Sequence, residues 1–231
     1  MRIIITRKSK QRIVFIVFVV LILTFTASCL KRNKKEIPVI SSSPISRLET
    51  DSPLYTVIGI ADSDTSSKSL TLFGEICSGF GITPTVFAET GELKRIMNVF
   101  SEINGFDCDY GIICENTSGM TRSEFLTYLA LLNDRFYGIT GTHSLCCYIN
   151  GTNSLYSLDV MASYGQYGVS YSVSAGEKSS SLKKGDIVAV ILSDEASVYG
   201  FASLASNGVL LGLNPVSMKE YIKEYEYLSE S

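Results

Sequence analysis

Three apolar runs of this sequence end directly in polar side chains that can do chemistry. The first leads into Asp62 and Asp64, the second ends in Cys114, and the third is followed by Asp194. Carboxylates and thiolates bind divalent metals, and they also act as nucleophiles or as acid–base groups. Because the carboxyl ends of parallel strands meet at one edge of a sheet, we take these four side chains as the catalytic candidates.

The acidic pair in the stretch "GIADSDTSS" has two interpretations. It resembles the start of a haloacid-dehalogenase-type phosphatase, with Asp62 as the nucleophile and Asp64 as the acid. Thr90 and residues 193–195 extend that resemblance, but Ser66 stands where the family has Thr or Val, and the family's lysine has no clear match. The competing interpretation is a solvated cap on the following helix, which Asp, Ser and Thr favour.

The chain has a single histidine, His143, so a site built from several histidines is excluded within one chain. With Cys77 or Cys114 as the nucleophile and Asp159 as the orienting carboxylate, the order Cys, His, Asp resembles that of papain-like and transglutaminase-like enzymes. Those enzymes begin a long helix immediately after the cysteine, whereas a polar loop follows Cys114. The competing interpretation is therefore a surface or loop histidine without a catalytic role.

Short apolar runs alternate with helical patterns from residue 55 onward, which predicts a largely parallel sheet covered by helices. Strands that are apolar throughout, such as residues 187–192, indicate burial on both faces. Seven strands of this kind form either an open doubly wound sheet or a closed barrel. They are predicted at residues 55–61, 83–89, 110–114, 143–149, 168–173, 185–192 and 208–215.

The order of these segments resembles the polysaccharide deacetylase (NodB-type) family over residues 55–226. The stretch "FGEICSGFGITPTVFAE" looks like the family's helix, glycine and A-T-F-F strand, and "TRSEFLTYLALLNDRFYG" resembles the helix after its metal motif. The stretches "KKGDIVAVILSDE" and "NGVLLGLNPVSMKEYI" resemble the late strand that ends in Leu-x-His and the closing strand and helix. The resemblance implies an irregular (β/α) barrel with about seven mostly parallel strands.

The metal-binding positions implied by the resemblance have largely changed. The family has two adjacent aspartates, of which the first acts as a base and the second binds the metal. In this sequence Ala61 stands at the first position, and Asp62 keeps the second. The place of His-x-x-x-His reads "CENTS", from Cys114 to Ser118, and the late histidine becomes Ser193. Zinc needs three good protein donors, and serine is a poor one. A divalent metal such as zinc is therefore expected only if this altered set still holds it.

The position that contacts substrate in the family has changed in the same way. The strand that the family writes R-x-P-x-G reads "CYING" here, so Cys147 replaces the arginine and only Gly151 is kept. By the resemblance, Cys147 and Gly151 are the substrate-binding positions. Tyrosines crowd the same part of the chain, and aromatic rings beside small polar residues suit sugar faces as well as ordinary sheet packing.

Residues 1–29 resemble a bacterial lipoprotein signal. A basic stretch precedes an apolar run over residues 13–30, in which Ala27, Ser28 and Cys29 fit the cleavage pattern, whereas Thr26 stands where a Leu-like residue is usual. Cys29 is thus the predicted lipidation site. An uncleaved anchor is the alternative, because an apolar run of this length can just span a bilayer.

The rest of the chain divides into a tether and a folded body. Residues 30–53 are charged and then rich in Ser and Pro, which predicts a flexible tether, and residues 54–231 form the predicted domain. Nine of the 20 Lys and Arg residues precede residue 36, which leaves eleven against 23 acidic residues in the remainder. Nucleic acid is excluded as a partner because an acidic body repels its phosphates.

These observations predict a membrane-anchored, extracytoplasmic protein of the periplasm or cell surface. Its degenerate polysaccharide-deacetylase-like domain is expected to bind cell-envelope polysaccharide without metal-dependent catalysis, as a pseudoenzyme. One alternative is an active carbohydrate deacetylase or other hydrolase with the unusual ligands Asp62, Cys114 and Asp194. The other is the Cys-His-Asp thiol enzyme.

Overall fold

A computed structural model describes residues 43–114, 119–149, 156–177 and 181–230. This part of the chain contains eight strands and six helices. The strands are β1 Leu54–Ala61, β2 Thr85–Ala88, β3 Asp109–Cys114, β4 Cys146–Ile149, β5 Tyr167–Val169, β6 Val173–Ser174, β7 Ile187–Ile191 and β8 Asn214–Pro215. The helices are α1 Ser67–Phe80, α2 Leu93–Ser101, α3 Arg122–Thr140, α4 Ser157–Ser163, α5 Glu195–Leu210 and α6 Met218–Glu230.

Seven strands form one parallel sheet in the order β5-β4-β3-β2-β1-β7-β6, and β8 pairs only with β1. The edge strands β5 and β6 are consecutive in the chain, with only residues 170–172 between them. Three residues span a short distance, so the two edges lie beside each other and the sheet curls round on itself. The predicted irregular (β/α) barrel of mostly parallel strands is confirmed, and the open doubly wound sheet was the wrong alternative.

The chain before β1 also takes part in the sheet. Ile45 pairs with Val169 at the end of β5, and Arg47 forms an antiparallel bridge with Asp186 just before β7. Ile45 and Leu48 are buried. Residues 45–48, which the sequence places in the flexible tether, are therefore packed against the folded domain, whereas residues 1–42 lie outside the described part.

Alternate residues of the strands face two separate apolar cores, as the two-residue period of a strand requires. The outer core lies between the strands and helices such as α1, α3 and α5. The inner core fills the barrel with Ile58, Phe87 and Tyr148, and Tyr221 of α6 packs into it. The Tyr221 hydroxyl donates to the Gly185 carbonyl, which immediately precedes β7, so α6 closes the amino-terminal end of the barrel.

Two strand predictions need correction. The run at residues 168–173 is divided between β5 and β6. The strand predicted at residues 208–215 is wrong over its first half, because α5 continues to Leu210 and only β8 is extended. Gly208 marks a close contact instead of a turn, since a Cβ there would lie 3.2 Å from the Tyr55 hydroxyl oxygen. The glycine lets the helix pack directly against β1.

Helix boundaries follow the capping signals of the sequence. Thr121 and Glu124 form a capping box at the start of α3, and Ser66 caps α1 by accepting from the Ser69 N–H at 3.1 Å. Among the described residues, no helix is long and apolar enough to cross a membrane. The apolar run at residues 13–30 lies outside that part of the chain.

Candidate functional site

Asp62 follows the last residue of β1, and donors of the protein itself occupy both of its carboxylate oxygens. Oδ1 accepts from the backbone N–H of Asp64 at 3.0 Å and from the Thr65 hydroxyl at 3.1 Å. Oδ2 accepts from the Ser193 hydroxyl at 2.8 Å. The carboxylate therefore organises the loop after β1 and ties it to the end of β7.

The contact between Asp62 and Ser193 joins two of the positions taken from the deacetylase resemblance. Asp62 stands at the metal-ligand position and Ser193 at that of the late histidine. Asp194 has a different task, because its carboxylate accepts from the Ala196 N–H at 2.9 Å and caps α5. The hydrolase alternative, which needed Asp194 as a ligand beside Asp62, gains no support from these contacts.

Cys114 ends β3, so it lies at the carboxyl-terminal end of the strands, as Asp62 does, and we call this end the mouth of the barrel. Its side chain nevertheless belongs to the outer core. It is 1% exposed and hydrogen-bonds to Cys147, which is fully buried on β4. This hydrogen bond and burial hold the pKa of Cys147 well above its usual value. Asp62 follows Ile60 by two residues, and Ile60 packs on the inner core, so the carboxylate and the Cys114 thiol face opposite sides of the sheet.

The donors that the structure places at this mouth do not fit zinc. Among the described residues, no three His, Cys, Asp or Glu side chains are grouped so that they can hold a metal ion. Ser118 and Gly151 lie outside the described residues. The chain's single histidine, His143, precedes β4 and so lies at the opposite end of the barrel from Asp62.

The parts of the thiol-enzyme alternative are not brought together. His143 stacks on Tyr137, with ring centroids 4.9 Å apart, and Asp159 pairs with Arg122. Burial raises the pKa of the Cys77 thiol well above its usual value. Among the described residues, no hydrogen bond or ion pair joins His143 to Asp159 or to Cys77. The loop-histidine interpretation fits these contacts.

The acidic pair after β1 acts as a turn. Asp64 is exposed, and its backbone N–H donates to Asp62. The Asp62 N–H donates to Thr65 Oγ1 at 3.0 Å, and Ser66 caps the helix that follows. This is the arrangement that the capping interpretation predicts. These contacts give the Asp62 carboxylate a structural role in the turn and give no support to the phosphatase interpretation.

An aromatic group lies beneath Asp62 inside the barrel. The ring of Phe87 is 5.9 Å from that of Tyr148, and Tyr148 stacks on Tyr171 at 6.5 Å with 16° between the planes. Phe87 is in register with Ile60, two residues before Asp62. Burial raises the pKa of Tyr148 to about 12, while Tyr171 is 36% exposed. The sequence shows the tyrosines but not their stacking.

No protein-family model matches the chain, and no curated protein sequence matches it. Solved structures do match. BA3943, a CE4 family pseudoenzyme from Bacillus anthracis, superposes with a TM-score of 0.66 at 13% identity, over 79% of this chain and 69% of its own. A family 4 carbohydrate esterase from the same organism gives 0.65 at 11% identity, over 77% and 86%. The chain has the CE4 fold.

A further match is the Bc1960 peptidoglycan N-acetylglucosamine deacetylase. Its TM-score is 0.62 at 11% identity, over 76% of this chain and 91% of that one. At such identities the likeness shows the fold and not the activity. In this chain a hydrogen bond joins Asp62 to Ser193, the two positions that the resemblance gives to a metal ligand and to the late histidine.

Replacing Ser193 with alanine tests how much this internal hydrogen bond stabilises the protein. We expect the free energy of unfolding to fall by about 1–2 kcal/mol, because the Asp62 carboxylate loses one of its donors. Urea denaturation measures the change. Ser203→Ala, at an exposed position on α5, is the control and should leave stability within about 0.5 kcal/mol of the parent. Equal stability of the two variants would show that the contact is incidental.

Proposed function

We propose that this chain is a membrane-tethered, extracytoplasmic protein whose CE4-fold domain binds cell-envelope glycan without metal-dependent deacetylation. The observation that carries the proposal is that the carboxylate of Asp62 accepts hydrogen bonds from Asp64, Thr65 and Ser193 within the protein. Among the described residues, Asp62 belongs to no group of three His, Cys, Asp or Glu side chains that could hold a metal ion.

The chemistry of deacetylation also lacks its other parts. A zinc-bound water needs a metal held by three protein donors, and proton transfer needs a nearby base. The position that the resemblance gives to the base is Ala61, which is fully buried in the outer core. Cys114 faces the same core. These features favour binding over hydrolysis.

Glycan binding is supported by the aromatic group of the barrel interior, which reaches the surface at Tyr171. Tyr171 is partly exposed and lies against Tyr148, which gives a flat apolar surface with a hydroxyl group. Aromatic rings of this kind pack on the apolar faces of sugars and hydrogen-bond at their edge. One protein of the same fold is a peptidoglycan N-acetylglucosamine deacetylase, which makes N-acetylated glycan the first ligand to test.

The tether rests on the sequence of residues 1–35. A basic stretch, an apolar run and Cys29 follow in the order of a lipoprotein signal, and all of them lie upstream of the folded domain. Labelling cells with a fatty-acid analogue should mark the parent protein and not Cys29→Ser. Labelling of both would overturn the lipid-anchor part of the proposal and leave the binding domain unaffected.

The central test uses the purified domain with a pentasaccharide of N-acetylglucosamine. We expect binding by calorimetry, no release of acetate, and no stoichiometric zinc in metal analysis after incubation with the ion. Release of acetate together with one bound zinc per chain would overturn the proposal. Absence of any binding to the pentasaccharide would overturn the glycan part of it.

Tyr171→Ala should weaken binding of the pentasaccharide about two- to tenfold, because one aromatic contact contributes about 0.5–1.5 kcal/mol. Tyr227→Ala is the matched control, since Tyr227 is 70% exposed on α6 at the other end of the barrel. Calorimetric titration of both variants gives the comparison. If the two variants bind as tightly as the parent, Tyr171 does not contact the sugar.

A further inference from the structure

A cavity opens at the amino-terminal end of the barrel, the end opposite to Asp62. It has a volume of about 460 Å³ and is formed by the starts of β2, β3, β4 and α6 together with the end of α3. This volume lies within the range of small-molecule sites in proteins, about 300–1,000 Å³. None of the metal-binding or substrate-binding positions implied by the deacetylase resemblance lines it.

Thr85 lies in the wall of this cavity with a hydroxyl group that has no partner. The residue is 3% exposed, and its Oγ1 makes no hydrogen bond in the structure. A buried hydroxyl without a hydrogen-bond partner destabilises the folded state, so an unsatisfied group of this kind calls for an explanation such as a ligand or a bound water. A bound molecule with a polar group at this point would satisfy it.

Two opposite charges border the same cavity without pairing with each other. Asp109 begins β3 and Lys219 lies in the first turn of α6. The salt bridges among the described residues do not include this pair. Burial and the neighbouring Asp107 raise the pKa of Asp109, and Lys219 only partly offsets this. Lys219 therefore does not fully compensate the negative charge of the Asp109 carboxylate, and a further cation beside it would be favourable.

The remaining wall is mixed, and it includes the polar side chains of Tyr110, Thr140, Thr142 and His143. Met97, Leu145 and Met218 supply apolar surface. Burial raises the pKa of the Cys108 thiol to about 12 and raises that of Cys146 as well, so both remain neutral thiols. The cavity therefore combines one acidic and one basic side chain, the unsatisfied Thr85 hydroxyl, and a wall with both apolar and polar parts.

We propose that this cavity binds a small zwitterion of the amino-acid class, with its ammonium group at Asp109, its carboxylate at Lys219 and a polar atom on Thr85 Oγ1. A molecule of this class carries both charges within a short distance and has a side chain for the apolar wall. The site is independent of the aromatic group to which we assign glycan binding and does not rest on the proposed function.

Calorimetric titration of the whole domain with a panel of free L- and D-amino acids tests this site. We expect at least one to bind with a Kd below about 1 mM. The methyl ester of that amino acid lacks the carboxylate, and its N-acetyl derivative lacks the ammonium group. Each should bind at least about tenfold more weakly, because each loses a charged contact.

A pair of isosteric variants separates the ligand contact from folding. Thr85→Val and Thr56→Val each remove a buried hydroxyl without a partner, but only Thr85 lines the cavity. Both should fold with an unchanged or higher Tm, while only Thr85→Val should weaken binding, about three- to tenfold. Asp109→Asn should weaken it further.

Three results would each overturn the proposal. The first is that no amino acid binds at about 10 mM, a concentration that detects even weak sites. The second is that the ester or the N-acetyl derivative binds as well as the free amino acid. The third is that Thr85→Val and Thr56→Val have the same effect on binding.

Discussion

Replacing Phe87 with alanine is expected to lower the free energy of unfolding by about 3–5 kcal/mol. The side chain is fully buried in the barrel interior and lies 5.9 Å from the ring of Tyr148. Its ring also fills the space above Gly111, where a Cβ would come within 2.3 Å of it. Truncation leaves a cavity at the centre of the inner core, and urea denaturation measures the loss.

Phe80→Ala is the matched control for this variant. Phe80 ends α1 and is only half-buried, so the same truncation removes less surface from contact. We expect it to cost less than half as much as Phe87→Ala. Equal losses would mean that the inner core relaxes around the missing ring and that the barrel interior is not tightly packed.

Gly185→Ala is expected to lower the free energy of unfolding by about 2–4 kcal/mol, because it combines backbone strain with a steric overlap. Gly185 has a φ of +73°, and a Cβ there would lie 2.0 Å from the Leu48 carbonyl oxygen. Its carbonyl accepts from the Leu48 N–H and from the Tyr221 hydroxyl. The added methyl group should push residues 45–48 away from the sheet.

Gly212→Ala isolates the steric part of that effect. Gly212 has a similar φ of +66° but nothing within 4 Å of a Cβ, so only the conformational cost of about 1 kcal/mol applies. Hydrogen exchange adds a local readout, because the N–H groups of Ile45 and Leu48 donate to Gly168 and Gly185. They should exchange faster only in Gly185→Ala. The same stability and exchange in both variants would refute the role assigned to the Leu48 contact.

Much of the fold can be read from local patterns. The apolar runs at β1 and β7 and the capping box at Thr121 have direct physical causes in burial and backbone hydrogen bonding. Closure of the sheet is harder to predict, since an open sheet and a barrel show the same alternation of strands and helices. It depends on the short connection at residues 170–172 and on the pairing of Ile45, neither of which has a periodic signature.

The candidate site was only partly predictable. Placing Asp62 and Ser193 at the ends of buried strands was enough to expect them at one mouth, and their hydrogen bond agrees with that. The face of Cys114 was not predictable, because β3 is buried on both sides and Ile113 and Cys114 are both compatible with either core. A shift of one residue exchanges the two faces of a strand. The amino-terminal cavity had no sequence motif, since Thr85 is an ordinary strand residue.

The N-terminal segment has a further consequence for association between molecules. An edge strand with unpaired backbone groups is a template on which another chain can add a strand and begin to aggregate. In the described part of the chain, Ile45 hydrogen-bonds along β5, and residues 170–172 carry that edge directly into β6. Residues 45–48 thus shield this edge of the sheet from neighbouring chains, a protection that would matter most under the crowding that the proposed membrane tether implies.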